Sequence, residues 1–394
     1  MTARSALIAG GGIGGLAAAL ACVRAGFQVR LFEQAAVFSE VGAGIQLGPN
    51  STRVLERWGL QQALAEVAAI PERLVVRNAY SGNELGSLAL AQPMRERYGA
   101  PYLTIHRADL QALLLAAVQA SGAARLDLAA RVKSFREAAQ TVTVRYAGDA
   151  QATADLMVGA DGLWSRVRAQ MLGDDAPLAT GHLAYRALLP QSHLPPSQRT
   201  HDVNVWLGRR LHVVAYPVRR GEWLNLVGIV HATDKTAKLR PNNWDHSADP
   251  GDLRAALAGC CADLKDLVQS VPDWRLWVLC DRPPMRSPNE HARGRVLLVG
   301  DAAHPMRPYL AQGAGMAIED AAELERVLAA DPLDVPAAVQ RFAADRWQRN
   351  ARVQARAQRN GRIFHASGPL AWGRDAAIGL LGKRLLDLPW LYKV

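Results

Sequence analysis

The feature that most restricts this chain is a run of glycines, Gly10-Gly11-Gly12-Ile13-Gly14-Gly15, set between a short apolar stretch and a helical pattern. Ser5 to Ala9 runs into the glycines as a strand would, and Leu16, Leu20 and Val23 follow at helical spacing. Gln28 to Glu33 then alternates like a second strand. A GxGxxG turn between strand and helix needs glycine because the turn is tight and the backbone must approach a pyrophosphate. The N–H groups and dipole at the helix start stabilise that negative charge. Glu33 closes the second strand where an acid accepts from ribose hydroxyls, which suits FAD or NAD and repels a 2′-phosphate. The pattern predicts a dinucleotide-binding βαβ unit, with Gly10, Gly12, Ile13, Gly14, Gly15, Glu33 and Gln34 at the cofactor.

One such unit does not use up 394 residues, so two domains and a tail are expected. Apolar residues at 49% and charged residues at 21% describe an ordinary globular chain. Glycines interrupt the apolar N-terminus too often for a signal peptide, and no run reaches the length of a membrane helix, so a cytoplasmic protein without membrane insertion is expected. Cys22, Cys260, Cys261 and Cys280 have neither metal-ligand nor disulfide-framework spacing; free thiols and no metal are expected. The net charge of +10 favours anionic partners, but no basic block interleaved with aromatics points to nucleic acid.

Further along, DLQALLLAAVQA reads as a helix with Asp109 near its start, and TVTVRY and LMVGAD read as strands. From Gly181 to about Arg282 the pattern turns to strands, VNVWL, LHVVAYPV and WLNLVGIV, before VLLVGD restores α/β character. The expected fold is therefore α/β, a Rossmann-like nucleotide domain interrupted by a sheet-rich insertion and followed by a helical tail. Its boundaries fall at 1–178 and 282–340 for the nucleotide domain, 179–281 for the insertion and 341–394 for the tail, with strands near 73–105 lent to the insertion.

Two more motifs join the first. Asp161-Gly162 ends a strand and leads to a helix near Ser165 that carries Arg168. Gly300-Asp301-Ala302-Ala303-His304-Pro305 precedes Pro308-Tyr309 and Gln312-Gly313-Ala314-Gly315-Met316, with the acid pair Glu319-Asp320 beyond. Asp301 at a strand end can accept from a ribose or ribitol hydroxyl, and N–H groups around Gly313, Ala314 and Gly315 open a helix toward an electron-rich ring edge. The plain alternative for each aspartate is a helix cap.

With GGGIGG, GAGIQLGPN, HRADL, VGADGLWSRVR, GDAAHP and AQGAGMAIEDA in place, the chain resembles the single-component FAD-dependent aromatic hydroxylases, especially salicylate hydroxylase and 3-hydroxybenzoate 6-hydroxylase-like members. The resemblance implies non-covalent FAD, a transient NADH or NADPH donor, and O2 captured as a C4a-hydroperoxide that hydroxylates an electron-rich aromatic acid. It also accounts for the lack of a second GxGxxG. By position, Arg107 would lie near the FAD phosphates, Asp161 and Arg168 would serve FAD and the donor, and Asp301 would hold the ribityl chain. Gln46 would serve the cofactor and, with Tyr309, the substrate pocket, and Pro308 would line the oxygen pocket. Relatives acting on hydroxypyridine carboxylates favour histidines where Gln46 and Tyr309 stand, which tilts the expectation to a benzenoid ring.

Activation of a phenol requires loss of its proton, and histidine titrates in the useful range. His212 and Tyr216 lie four residues apart on one face of LHVVAYPV, and family members carry this His-x-x-x-Tyr pattern beside the ring. His212 is the expected base; the alternative is a hydrogen-bonded structural histidine. His304 is expected to order backbone, and Arg307 or an arginine of the insertion to meet a substrate carboxylate. Arg346, Arg349, Arg352, Arg356 and Arg359 form one helical face, expected to be solvated or to lie between subunits of a monomer-or-homodimer protein. Competing functions are an N-heteroaromatic hydroxylase and a non-hydroxylating flavin oxidoreductase; the Trp274-Arg-Leu-Trp277 segment has the wrong spacing for a halogenase signature.

Overall fold

The computed structural model describes residues 4–38, 43–232, 246–247, 250–330 and 334–393. The chain divides into two compact units, one of Met1–Val41, Ala108–Leu178 and Asp281–Ala357, the other of Gly42–Arg107, Ala179–Cys280 and Gln358–Val394.

In the first unit, six strands lie in the order Ala292–Arg293, Val296–Leu298, Leu156–Gly159, Ser5–Ala9, Gln28–Phe32 and Ala124–Asp127. All pairs are parallel except that of Ala292–Arg293. The runs Ala6–Ala9 and Leu156–Gly159 are buried throughout, as strands covered on both faces must be. Leu7 pairs with Met157 on one side and Arg30 on the other, so the first strand is the point where strand order reverses. Ligands of open α/β sheets bind outside the carboxyl ends of strands at such a point, and the glycine turn sits there. Helix Ile13–Arg24, rich in Ala and Gly, is buried along nearly its whole length and packs against helix Gly313–Ala330. A three-stranded antiparallel sheet, Ser134–Glu137, Val142–Arg145 and Gln151–Ala154, adds Val142, Val144 and Ala154 to the same core as Met157, Val167 and Leu298.

The second unit is built on eight strands in the order His246–Ser247, Arg275–Asp281, Leu178–Pro190, Trp223–His231, Leu211–Val218, Val203–Gly208, Arg73–Asn78 and Glu84–Ala89. Side chains alternate across this sheet with period two. Tyr185, Leu189, Val213, Ala215, Leu224 and Leu226 take one face and bury themselves with Leu253, Leu264 and Leu267 from the helices behind it. The pairings His182 with His231, His212 with Ile229, and Tyr216 with Asn225 put the polar residues on the other face. A two-stranded ribbon, Gly44–Leu47 with Leu103–His106, belongs to this unit, and the Leu103–His106 strand contacts Leu211–Val218.

Helix Val335–Phe364 corrects one expectation. Its arginine face does not start in solvent: Arg346 is buried, with Nε donating to Asp320 Oδ1 at 2.9 Å and Nη1 to Glu319 Oε2 at 2.8 Å. Arg349 adds two bonds to Glu319, at 2.6 and 2.7 Å. The acid pair on helix Gly313–Ala330 supplies the charge that lets two arginines of a supposedly wet stripe turn inward. No described helix is long and apolar enough to cross a membrane.

Candidate active site

The first unit holds a cradle shaped by missing side chains. Gly10 has φ of +106°, and a Cβ there would stand 2.3 Å from the Ala160 carbonyl oxygen; one on Gly15 would stand 1.9 Å from the Gly10 oxygen. Both obstacles are backbone, so neither can yield. Gly12 caps helix Ile13–Arg24 without any side-chain hydrogen bond, which leaves the helix start open to an anion. Glu33 follows strand Gln28–Phe32 and accepts from Gly11 N at 2.7 Å and Ala35 N at 2.8 Å, while Gln34 is exposed beside it. Gln111, which the sequence reading missed, donates to the Gly11 oxygen at 2.9 Å and pins the loop from behind. This cradle fits the diphosphate and ribose of FAD.

Asp161 and Arg168 are tied into protein. Asp161 accepts from the Ser165 hydroxyl at 2.5 Å and from Arg166 N at 2.7 Å, holding the start of helix Arg166–Leu172. Burial pushes this carboxyl up, against the pull of those bonds. Arg168 reaches Asp174 at 2.6 Å and the Ala303 carbonyl at 2.7 Å, thereby linking the second motif to the third. Asp301 stands exposed in the turn Gly300–Ala302, and a Cβ on Gly313 would lie 3.9 Å from its Oδ1. Asp301 thus faces the helix start that carries Ala314 and Gly315. Pro308 and Tyr309 form the turn Pro308–Leu310; Tyr309 is buried, which raises its hydroxyl's pKa. Arg307 donates to Asp281 at 2.5 Å, so its charge already has a partner.

His304 orders its loop, as expected: Nε2 meets Asp320 Oδ2 at 2.5 Å, and Asp320 also accepts from Gly300 N at 3.2 Å and Asn350 Nδ2 at 2.9 Å. Although burial opposes it, the charges of His304 and Arg346 hold Asp320 well below the usual carboxylate range.

In the second unit, the polar sheet face forms a second cluster. Asn225 is fully buried and accepts from Gly44 N at 2.6 Å; a Cβ on Gly44 would lie 2.7 Å from a Tyr216 ring carbon. Tyr216 lies opposite Asn225 across the strand pair, and burial raises its hydroxyl while Arg186 opposes the shift. Arg186 lies over Trp277 at 4.7 Å. Tyr102 donates to Gln46 Oε1 at 2.7 Å, and burial with Tyr216 nearby raises its hydroxyl too. Gln46, Tyr102, Tyr216, Asn225 and Arg186 therefore lie together, of which only Gln46 and Tyr216 were singled out from sequence. Arg107 opens helix Arg107–Ala120, and its N–H donates to the Ala43 oxygen at 2.9 Å.

His212 shares the sheet face of Tyr216 but lies at its other end, about 13 Å along the strand at 3.3 Å per residue. It is 2% exposed, and its Nδ1 is 2.8 Å from His365 Nε2. His231 Nε2 is 3.1 Å from His365 Nδ1, and His182 stacks on both His231 and His365. Burial pushes His212 down to about 3 and His365 to about 2.

Comparison with known proteins agrees with this geometry. Residues 4–360 match the family described as FAD binding domain. The 3-hydroxybenzoate 6-hydroxylase of Polaromonas naphthalenivorans is 36% identical over 389 residues, covering 98% of this chain and 95% of its own. The 6-hydroxynicotinate 3-monooxygenase of Bordetella bronchiseptica is 37% identical over 351 residues, 88% of each chain. Among solved structures, a salicylate hydroxylase substrate complex superposes with a TM-score of 0.82 at 27% identity, covering 99% of this chain and 95% of the other.

Proposed function

We propose that this chain, which belongs to the FAD-dependent aromatic hydroxylases, adds one oxygen atom to a hydroxylated aromatic acid, using O2 and NADH or NADPH. The reaction balances as arene, O2, NAD(P)H and a proton giving phenol, water and NAD(P)+. FAD supplies the oxygen-activating redox chemistry when bound; Gly10, Gly12, Ile13, Gly14, Gly15, Glu33 and Gln34 hold its adenosine diphosphate half, with Arg107 at the phosphates. Asp301 holds the ribityl chain, Ala314 and Gly315 donate to the ring, and Asp161 and Arg168 brace the surrounding loops.

The observation that carries the substrate assignment is the buried polar face of the second unit. A sheet face that carries Tyr216, Asn225 and Arg186 under the close-packed Gly44 has the flat walls and few placed polar groups of a small-ring site. Tyr216, Tyr102 and Gln46 orient the ring. Arg186 meets the carboxylate, since it lies beside Tyr216 on the same sheet face. His212 receives the phenolic proton, and Pro308 and Tyr309 line the oxygen side. A histidine whose charged form burial disfavours this strongly cannot keep that proton.

A panel of hydroxybenzoates, aminobenzoates and hydroxypyridine carboxylates, scored for stimulated NADH and NADPH oxidation and for product mass, tests the proposal. Gain of one oxygen by hydroxybenzoates alone is expected. Turnover of hydroxypyridines alone, the chemistry in the name of the Bordetella bronchiseptica relative, would move the assignment to the N-heteroaromatic class.

A further inference from the structure

On the polar face of the eight-stranded sheet, the pairing of His182 with His231 sets two imidazoles side by side, their centroids 4.5 Å apart. Residues directly opposite on neighbouring strands bring their side chains together, so the register itself fixes this proximity. His365, the residue after helix Val335–Phe364, brings a third ring to the pair, 4.9 Å from that of His182 and 5.2 Å from that of His231. His231 Nε2 and His365 Nδ1 stand 3.1 Å apart, and one nitrogen from each of the three rings falls within 4.8 Å of the others.

This spacing is close to what one metal ion asks of three imidazoles. Nitrogens bound to a single tetrahedral Zn2+ at about 2.0–2.1 Å lie roughly 3.3 Å from one another. The His231–His365 pair already stands near that distance, and the His182 ring has a gap of at most about 1.5 Å to close by turning about its own side-chain bonds. His365 Nε2, on the other side of its ring, lies 2.8 Å from His212 Nδ1, which fixes the ring's rotation as an outer partner does for a ligating histidine. Arg374 Nη1 donates to the Phe364 carbonyl at 2.8 Å and Arg210 N to the His365 carbonyl at 3.3 Å, so the chain that carries His365 is held as well. Burial pushes His365 down to about 2 and lowers His231, which keeps both rings in the neutral form that ligates. His231 is partly exposed, which leaves a way in for a hydrated ion.

We propose that His182, His231 and His365 bind one divalent transition-metal ion of the zinc class, through Nε2 of His231 and Nδ1 of His365, with water at the fourth position. An all-imidazole donor set suits Zn2+, Cu2+ or Ni2+, whereas Mg2+ and Ca2+ take oxygen. The ion staples the end of helix Val335–Phe364 to two neighbouring strands, Leu178–Pro190 and Trp223–His231. The inference is separate from the substrate and from the proton step given to His212, which stays outside the donor set.

Arg210 is the opposing influence. Its Nε lies 3.3 Å from His231 Nδ1, and a guanidinium only donates, so without an ion the His231 proton sits on Nε2 and points at His365. Arg210 is exposed, at the turn before Leu211–Val218, so an arriving ion shifts that proton to Nδ1 while the guanidinium swings out to water. Loss of one exposed hydrogen bond of this length lowers ion affinity about tenfold and does not close the site. His291, His304 and Asp320 also place three donor atoms within 4.8 Å of one another, but all three are buried, and Asp320 is already bonded by Arg346, Asn350 and Gly300 N. That second set is spent on protein contacts.

Equilibrium dialysis of tag-free holoenzyme against Zn2+ at pH 7.5, with bound metal counted by mass spectrometry, tests the site. One Zn2+ per chain is expected, with X-ray absorption showing three imidazole nitrogens at about 2.0 Å. His365→Phe should weaken binding about a hundredfold or more with FAD content unchanged, and His231→Gln, at a partly exposed position that does not depend on the packing around His365, should do the same. Arg210→Met should tighten binding about tenfold, and His291→Leu should leave it as in the parent. Absence of stoichiometric Zn2+ in the parent, binding unaltered in both His365→Phe and His231→Gln, weaker binding in Arg210→Met, or loss of binding in His291→Leu would overturn the proposal. No aromatic substrate enters the measurement, so failure of hydroxybenzoates to turn over would count against the proposed function alone.

Discussion

Replacing Arg346 with Met isolates what the buried charges between helices Gly313–Ala330 and Val335–Phe364 contribute. The guanidinium is 6% exposed and bonds Asp320, Glu319 and Asn350, so Arg346→Met leaves two buried carboxylates short of a cation. Breaking one partner of a buried pair costs about 3–5 kcal/mol. The lower end applies, because Asp320 keeps His304, Asn350 and Gly300 N, and Glu319 keeps both bonds from Arg349. A loss of about 3 kcal/mol lowers the melting temperature of a large domain by about 6 °C. Because Asp320 titrates below its ordinary range, its contribution is present above the unfolded carboxylate value of about 4 and disappears as pH falls toward the folded one, so the comparison belongs at pH 7.5. Release of flavin fluorescence on heating reports the first unit. The companion variant Arg346→Met/Asp320→Asn, which removes one of the stranded charges, should melt above Arg346→Met. A single variant within about 1 °C of the parent, or a double variant no better than the single, would show that these charges do not carry the load assigned to them.

Gly15→Ala should purify colourless, since its Cβ would be driven to 1.9 Å from the Gly10 oxygen; a variant that retains stoichiometric FAD would refute the cradle. Gly44→Ala should keep FAD and raise KM for the aromatic substrate about tenfold or more, because its methyl displaces Tyr216 and Asn225, and steady-state kinetics with unchanged KM would count against the ring site. Arg186→Met should raise KM for a hydroxybenzoate about tenfold to a hundredfold, the loss of a charge-assisted pair, yet leave the matching phenol unaffected. Burial holds His291 neutral, with its pKa down to about 3, so this residue alone should take about 1 kcal/mol per pH unit from stability between 6.5 and 4, beside like contributions from His212 and His365. In denaturant titrations His291→Leu should flatten that slope, and an identical slope would remove His291 from the account.

The cofactor side of the molecule was legible in the sequence because it is written in local terms. The glycine turn, Glu33 and the helix opening at Gly313 are each fixed by a few neighbouring residues, and the alternating strands from Val203 to His231 declare themselves by period. The ring site is different in kind. Asn225 and Arg186 come from separate strands and Tyr102 from the residue before a third, Leu103–His106, and only Asn225, a polar residue at an alternating position within WLNLVGIV, left a trace that could have been read. His365 left none, because its place beside His212 depends on where a thirty-residue helix ends. The arginine stripe misled for a related reason: periodicity shows which residues share a face, and not what faces them. Glu319 and Asp320 decided that, from another helix.

The proposed reaction inserts an atom of molecular oxygen into a hydroxylated aromatic acid. Turnover of a hydroxybenzoate with NADH or NADPH under 18O2, followed by mass spectrometry, tests it most directly. A product heavier by one 18O atom, formed only with FAD present, is expected; reductant oxidation that yields peroxide, or an altered ring without the label, would contradict oxygen insertion.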